Sequence, residues 1–176
     1  MAISENDIIQ YNNVFDKKEF ETILEYVARP CWQYGHGSHD KTHPEYNNSV
    51  PFWAMNLDNE EYFTKYLLNK IQEKTNTKFD LTRVYANGHT FGTKGSFHQD
   101  WFDEKGRTFI LYANSTWNVN WGGSTIFNLG NEEYKFCIPK PNSAVLFPGM
   151  MYHCADATNR IFTGLRVTIA WKLLLR

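Results

Sequence analysis

Cysteine is scarce in this chain, and long apolar runs are missing altogether. The three cysteines, Cys31, Cys137 and Cys154, are odd in number and widely spaced, with no Cys-x-x-Cys pair. That pattern argues against a disulfide framework and fits reduced thiols in a cytosol-like compartment. No stretch approaches the roughly 20 apolar residues needed to span a bilayer. The opening Met-Ala-Ile-Ser-Glu-Asn-Asp has no basic region followed by an apolar one, so no secretory signal is expected and the reading is cytoplasmic. An excess of one charge is also lacking, because 18 basic and 19 acidic residues leave a formal charge of −1. Without a basic stripe, nucleic acid is not an expected partner, and no membrane partner is expected either. No repeat, low-complexity tract or linker interrupts the 176 residues, which predicts a single domain over 1–176.

What the chain does have is apolar patterning of two kinds. Asp16 followed by Glu19 forms a capping-box signature before Phe20, Ile23, Leu24 and Val27, which recur at helical spacing until Pro30. A second helix is predicted from Asp58 or Asn59, with Phe63, Tyr66, Leu67 and Ile71 as its apolar face. After residue 79 the texture changes to short β-branched and aromatic runs separated by Gly, Asn and Pro. These are Leu81–Ala86, Thr108–Asn114, Ser124–Asn128, Tyr134–Ile138, Ala144–Phe147 and Arg166–Leu173. The order predicts an α+β, mainly β chain: a helical N-terminal part over about 1–78 packs on a β-sandwich core over about 79–176. A double-sheet jelly roll of the cupin kind suits this strand count.

The chemistry concentrates in His98-Gln99-Asp100 and the distal His153. At a spacing of two on an extended strand, His98 and Asp100 point to one face. His153, just past the Phe147-Pro148-Gly149 turn signal, is the candidate third ligand. Two imidazoles and one carboxylate, with positions left open, suit non-haem Fe(II) and its oxygen chemistry. The tripeptide alone is weak evidence; the ordered set of motifs carries the reading. A rival cluster, His36, Asp40, His39 and His43, lies between Gly35, Gly37 and Pro44, which predicts a loop that is solvated or touches substrate. His89 follows the turn-prone Asn87-Gly88 and reads as a surface residue.

Arg166 opens the apolar strand Arg-Val-Thr-Ile-Ala-Trp, and alternation puts Arg166, Thr168 and Ala170 on one face. An arginine there is costly unless paired. Its planar fork suits a ligand carboxylate held bidentately, with Thr168 as a hydroxyl helper. A salt bridge to a protein carboxylate is the rival reading, and Arg160 the weaker competitor as anchor. Tyr112 and Tyr85 each read equally well as core phenols or as donors to a carboxylate.

Tyr85-Ala-Asn-Gly88, His98-Gln-Asp100, Leu111-Tyr112-Ala-Asn114, Trp121-Gly-Gly-Ser-Thr-Ile-Phe127, Phe147-Pro-Gly149, His153, Arg166 and Trp171 occur in that order. Taken together they resemble the prolyl 4-hydroxylase-like branch of the Fe(II)/2-oxoglutarate-dependent dioxygenases. The N-terminal helices resemble that family's opening segment, so nearly the whole chain is covered. The resemblance implies a double-stranded β-helix with Fe(II) on His98, Asp100 and His153, and 2-oxoglutarate held by Arg166 with Tyr112, Tyr85 and Thr168. It implies O2 as oxidant, ascorbate as an optional reductant, and hydroxylation of an unactivated C–H bond with release of succinate and CO2. An aspartate at 100, rather than Gly or Ala, favours hydroxylation over halogenation. The implied substrate is a prolyl or other residue of a peptide or protein. The alternatives are a free amino acid or small metabolite, or a non-catalytic metal-binding jelly roll. Two departures stand out. The 13-residue step from His153 to Arg166 predicts a bulge over Cys154–Gly164, and Asn87–Phe97 is extended.

Overall fold

Asp16 accepts a hydrogen bond from the Glu19 amide and Glu19 returns one to the Asp16 amide, each at 2.8 Å, so the predicted capping box starts helix α1 (Lys17–Val27). The structure is a computed structural model that describes residues 4–38 and 50–176. The second helical segment begins as π-helix over Tyr62–Leu67 and continues as α2 (Leu68–Thr75), ending on the left-handed Asn76. Phe63, Leu67 and Ile71 are fully buried, as their spacing predicts. Tyr66 departs from the expected face: it is largely exposed and its hydroxyl donates to Glu19 Oε1 at 2.7 Å.

The described residues form ten strands: β1 (Ile9–Tyr11), β2 (Gln33–His36), β3 (Phe52–Asn56), β4 (Phe79–His89), β5 (Gly106–Tyr112), β6 (Thr125–Gly130), β7 (Glu133–Cys137), β8 (Ala144–Pro148), β9 (His153–Ala155) and β10 (Arg166–Leu175). They make a seven-stranded sheet, ordered β1-β8-β5-β10-β4-β3-β2, and a three-stranded sheet, ordered β7-β6-β9. The pairings are antiparallel, and the fold is an α+β, mainly β double-stranded β-helix. The N-terminal part is not purely helical. It also supplies β1, β2 and β3 as outer strands of the large sheet, which short length and an interrupting Gly35 hide from periodicity.

The large sheet has two dissimilar faces because side chains alternate along each strand. Val84, Ala86, Phe109, Leu111, Val167, Ile169, Trp171 and Leu173 point outward and pack with Ile23, Phe63, Leu67 and Ile71 of the helices. Trp171 is fully buried there, with its indole N–H donating to the Phe63 carbonyl at 3.1 Å. Burying each such large side chain stabilises the fold by about 1.5–3 kcal/mol. The other face looks toward the small sheet. Tyr85, Ile110, Tyr112, Val145, Phe147 and Ala170 meet Phe127, Cys137 and Met151 there. This inner layer leaves a cavity between the sheets. Among the described residues, no helix is long and apolar enough to cross a membrane.

Candidate functional site

Along β4 and β10 the inner face is a ladder of opposed pairs: His89 with Arg166, Asn87 with Thr168, Tyr85 with Ala170 and Arg83 with Lys172. These residues line a cavity of about 640 Å³, whose opposite wall carries His98, Asp100 and His153. The cavity thus joins the predicted metal ligands to the predicted anion anchor.

His98 lies in the connection from β4 to β5, and His153 opens β9. The two residues exchange both backbone hydrogen bonds, each at 3.0 Å, as an isolated antiparallel bridge. The Asp100 and Trp101 amides both donate to the Gly149 carbonyl, at 2.8 and 3.1 Å. Gly149 has no side chain for a steric reason. A Cβ there would lie 2.2 Å from Trp101 Cδ1, so only glycine lets the turn seat the residue that follows Asp100. The turn after β8 therefore fixes both Asp100 and, four residues on, His153.

The three ligand atoms lie within 4.8 Å of one another. Asp100 Oδ1 is 3.4 Å from His98 Nε2, and Asp100 Oδ2 is 3.4 Å from His153 Nε2. Each imidazole is oriented by a backbone carbonyl, with Nδ1 of His98 2.9 Å from the Ser96 oxygen and Nδ1 of His153 2.9 Å from the Met151 oxygen. A carbonyl only accepts, so Nδ1 carries the proton, and in the neutral ring the lone pair sits on Nε2, facing the cluster. Phe147 and Phe127 wall in His153, with ring centroids at 4.6 and 6.0 Å. Burial depresses its pKa to about 3, against the pull of Asp100, so the ring is neutral near pH 7. Two imidazoles that turn Nε2 toward one carboxylate, all preset by backbone contacts, fit a divalent transition metal with positions left open for other ligands. Among the described residues this is the one His/Cys/Asp/Glu group with that geometry. His36 lines the cavity 5.5 Å from the Tyr85 ring, whereas His39, Asp40 and His43 lie outside the described residues.

Lys172 was invisible to motif reading. Its ammonium contacts Asp100 Oδ2, the same oxygen that receives the Thr108 hydroxyl at 2.6 Å. Burial alone would raise the Asp100 carboxyl; Lys172 and the two histidines hold it well below the usual carboxylate range. Burial likewise pulls the Lys172 ammonium down, and Asp100 and Tyr85 more than reverse that. Alternation from Arg166 through Thr168 and Ala170 leads to Lys172 and was the available signal.

At the other end, Arg166 is 1% exposed. Its Nε donates to the Gly123 carbonyl at 2.5 Å and one terminal nitrogen to Thr125 Oγ1 at 3.3 Å. Gly123 has a left-handed φ of 72°, and a Cβ there would lie 3.0 Å from Arg166 Cδ, which explains the Gly-Gly bend. No carboxylate pairs with Arg166 among the described residues, and burial lowers its pKa. Arg160 is exposed and away from the cavity lining. Thr168 and Tyr85 line the cavity as predicted. Tyr112 sits behind it: its hydroxyl donates to Thr125 Oγ1 at 2.9 Å, and its ring centre is 6.0 Å from the Arg166 guanidinium carbon. Thr125, not singled out in the sequence, lies on the lining instead.

His89 is not a surface residue. It is 3% exposed, lines the cavity, packs tilted against the Phe52 ring at 4.5 Å and has its pKa depressed to about 3 by burial. Strand β4 runs through Asn87-Gly88 because β10 pairs with it, which overrides the local turn signal. Among the described residues, His89 Nδ1, Asn87 Oδ1 and Trp101 Nε1 are buried without hydrogen-bond partners, and all three residues line the cavity. Buried polar atoms are seldom left unsatisfied, and these three belong to residues of one cavity wall. The predicted Cys154–Gly164 excursion carries exposed residues at Asn159, Arg160, Ile161, Thr163 and Gly164 and is tied down at two points. Gly122 bridges Thr158, and Phe162 packs on Trp117 and Trp121 at 4.9 and 5.0 Å.

No protein-family model matches the chain, and no curated protein matches it either. Solved structures do. An oxidoreductase of the 2OG-Fe(II) oxygenase family from Burkholderia pseudomallei superposes with a TM-score of 0.72 at 9% identity, over 97% of this chain and 86% of that one. A Trichoplax adhaerens prolyl hydroxylase, in complex with a hypoxia inducible factor peptide fragment, gives 0.73 at 15% identity, over 97% and 84%. A Pseudomonas putida prolyl-4-hydroxylase gives 0.68 at 13% identity, over 97% and 93%. At such identities the likeness is one of architecture, and the architecture of this chain is that of the 2-oxoglutarate–Fe(II) oxygenases.

Proposed function

We propose that this protein is an Fe(II)- and 2-oxoglutarate-dependent dioxygenase that hydroxylates an unactivated C–H bond. The observation that carries the reading is Arg166, a buried cation without a protein carboxylate among the described residues, in the same cavity as His98, Asp100 and His153. A merely structural metal site has no use for a second, carboxylate-binding fork.

In this reading His98, Asp100 and His153 hold the ferrous ion. The Nδ1 contacts to Ser96 and Met151 keep both imidazoles aimed, and Lys172 with Thr108 steadies Oδ2 of Asp100, the oxygen nearer His153. Arg166 grips the distal carboxylate of 2-oxoglutarate, Thr168 and Thr125 offer hydroxyls beside it, and Tyr112 orients Thr125 from behind. Tyr85 closes the wall between the two ends. When bound, iron and 2-oxoglutarate supply the oxidation, with O2 consumed and succinate and CO2 released. The protein contributes fixed ligand geometry, orientation and walls of Phe127, Phe147 and Ile110 that limit water. The proposed target is a peptidyl residue, proline first, the activity named for two of the structural neighbours. Three free thiols suit a reducing, cytoplasmic setting.

The test is succinate formation from 2-oxoglutarate that requires both Fe(II) and O2 and is stimulated by proline-containing peptides. Turnover that persists in His98→Ala, or succinate formation indifferent to O2, contradicts the proposal.

A further inference from the structure

The proposed chemistry uses the Arg166 end of the cavity and leaves Arg83, at the opposite end, unexplained. Arg83 stands directly across from Lys172 in the β4–β10 register. Like charges facing each other on a sheet are unfavourable. Lys172 is answered by Asp100, whereas Arg83 is exposed at the cavity rim, and among the described residues no carboxylate pairs with it. Its guanidinium carbon lies 4.4 Å from the centre of the Tyr85 ring, a platform that leaves the N–H edge for a planar acceptor. His36 sits against the same ring from β2, its pKa lowered by burial and then by Arg83, Lys172 and His98. Arg83, Tyr85, His36 and Gly35 also line a second cavity, of about 340 Å³, so Arg83 stands where the two meet. Among the described lining residues of both, Asp100 is the single carboxylate, and it is committed to Lys172 and the metal-ligand cluster. A ferrous ion adds positive charge to this end, and the carboxylates of 2-oxoglutarate are taken up by the ion and Arg166.

We propose that Arg83, backed by Tyr85 and His36, is a carboxylate-binding subsite that seats an acidic substrate with its target C–H bond toward the metal. The inference rests on the dioxygenase reading and narrows it. The substrate carries a carboxylate close to the hydroxylated carbon, either the α-carboxylate of a free amino acid or an acidic group of a peptide. An arginine fork that meets a carboxylate in two parallel hydrogen bonds fixes direction as well as affinity.

The test uses whole protein loaded with Fe(II) and 2-oxoglutarate without oxygen, so that the Arg166 anchor is filled. Arginine labelling by phenylglyoxal is followed at Arg83 by peptide mass mapping, with exposed Arg160 as internal control. Matched probes are added at millimolar concentration: acetate against acetamide, L-proline against L-prolinamide, and a Pro-Asp peptide against its Pro-Asn counterpart. The expected result is that carboxylate members slow labelling at Arg83 several-fold, while amide members and Arg160 labelling show no change. Protection by L-proline without the peptide assigns a free amino acid; the reverse assigns an acidic peptide. Equal labelling with every probe, or equal protection by amides, overturns the subsite. In Arg83→Gln the half-saturating concentration of the carboxylate probe that stimulates succinate release rises by about 10- to 100-fold, as for loss of a hydrogen bond to a charged group. An unchanged value also overturns it. Failure of the dioxygenase reading shows separately, as the absence of a charge-transfer band when the wild-type protein is loaded.

Discussion

His98 and His153 are backbone partners as well as neighbours: they exchange both main-chain hydrogen bonds at 3.0 Å, which brings their ring centroids to 4.4 Å. The two imidazoles are therefore preset by strand pairing before any ion arrives. Asp100 completes the group from the Gly149 carbonyl at 2.8 Å. His153→Ala should lower Mn²⁺ affinity by at least about 100-fold, beyond the 10–100-fold typical for partners one shell out. Calorimetric titration of the metal-free protein checks this, and an unchanged affinity removes His153 from the ligand set.

Lys172→Met should destabilise the metal-free protein by about 3–5 kcal/mol, because it strands a buried carboxylate. Both side chains are shielded, at 12% and 5% exposure. Added Mn²⁺ should recover more stability in this variant than in wild type, since the ion replaces the lost cation beside Asp100. Denaturant unfolding with and without the ion measures both effects. Equal gains contradict the pairing.

Arg166→Met should weaken 2-oxoglutarate by about 10- to 100-fold through loss of charge-assisted hydrogen bonds. Metal affinity should be unchanged, since Arg166 contacts Gly123 and Thr125 rather than the triad. Titration of the anaerobic Fe(II) protein with 2-oxoglutarate is the measurement.

Acid should unfold the metal-free protein earlier than carboxylates alone require. His89 and His153 both have folded pKa values depressed to about 3 by burial, against roughly 6.5 in the unfolded chain. The unfolded state binds more protons between those values, so their stability is fully present above about pH 6.5 and lost as pH falls toward about 3. Each contributes a slope of up to about 1.4 kcal/mol per pH unit. His89→Phe, which removes one titrating ring next to Phe52, should flatten the slope; unfolding curves taken from about pH 7 to about pH 5 read it.

Gly149→Ala should cost about 1–3 kcal/mol, because its Cβ would collide with Trp101, 2.2 Å away, and force a backbone shift. The same shift moves the carbonyl that positions Asp100, so metal affinity should fall together with the melting temperature. A stable variant with native affinity contradicts the steric role assigned to that glycine.

The legible parts of this molecule were those where one local rule decides. The Asp16 capping box, the buried Phe63, Leu67 and Ile71, and the alternation that turns Arg166 and Thr168 inward were all readable. The His-x-Asp pair was readable as a spacing, but its convergence with His153 depends on a bridge between residues 55 positions apart, which sequence cannot display. His89 was misjudged because Asn87-Gly88 looks like a turn; pairing with Val167 and Thr168 keeps it extended. β1 to β3 escaped notice since outer strands of three to five residues carry too few alternations to register. Lys172 was hidden by its apolar neighbours Trp171 and Leu173, although the same period that located Thr168 passes through it.

The most direct test of the central claim is the visible spectrum of the protein given Fe(II) and then 2-oxoglutarate in the absence of oxygen. The account predicts a metal-to-ligand charge-transfer band in wild type, absent in Asp100→Ala, and reached in Arg166→Met only at much higher 2-oxoglutarate. A wild-type spectrum without that band, from protein shown to be folded, contradicts it.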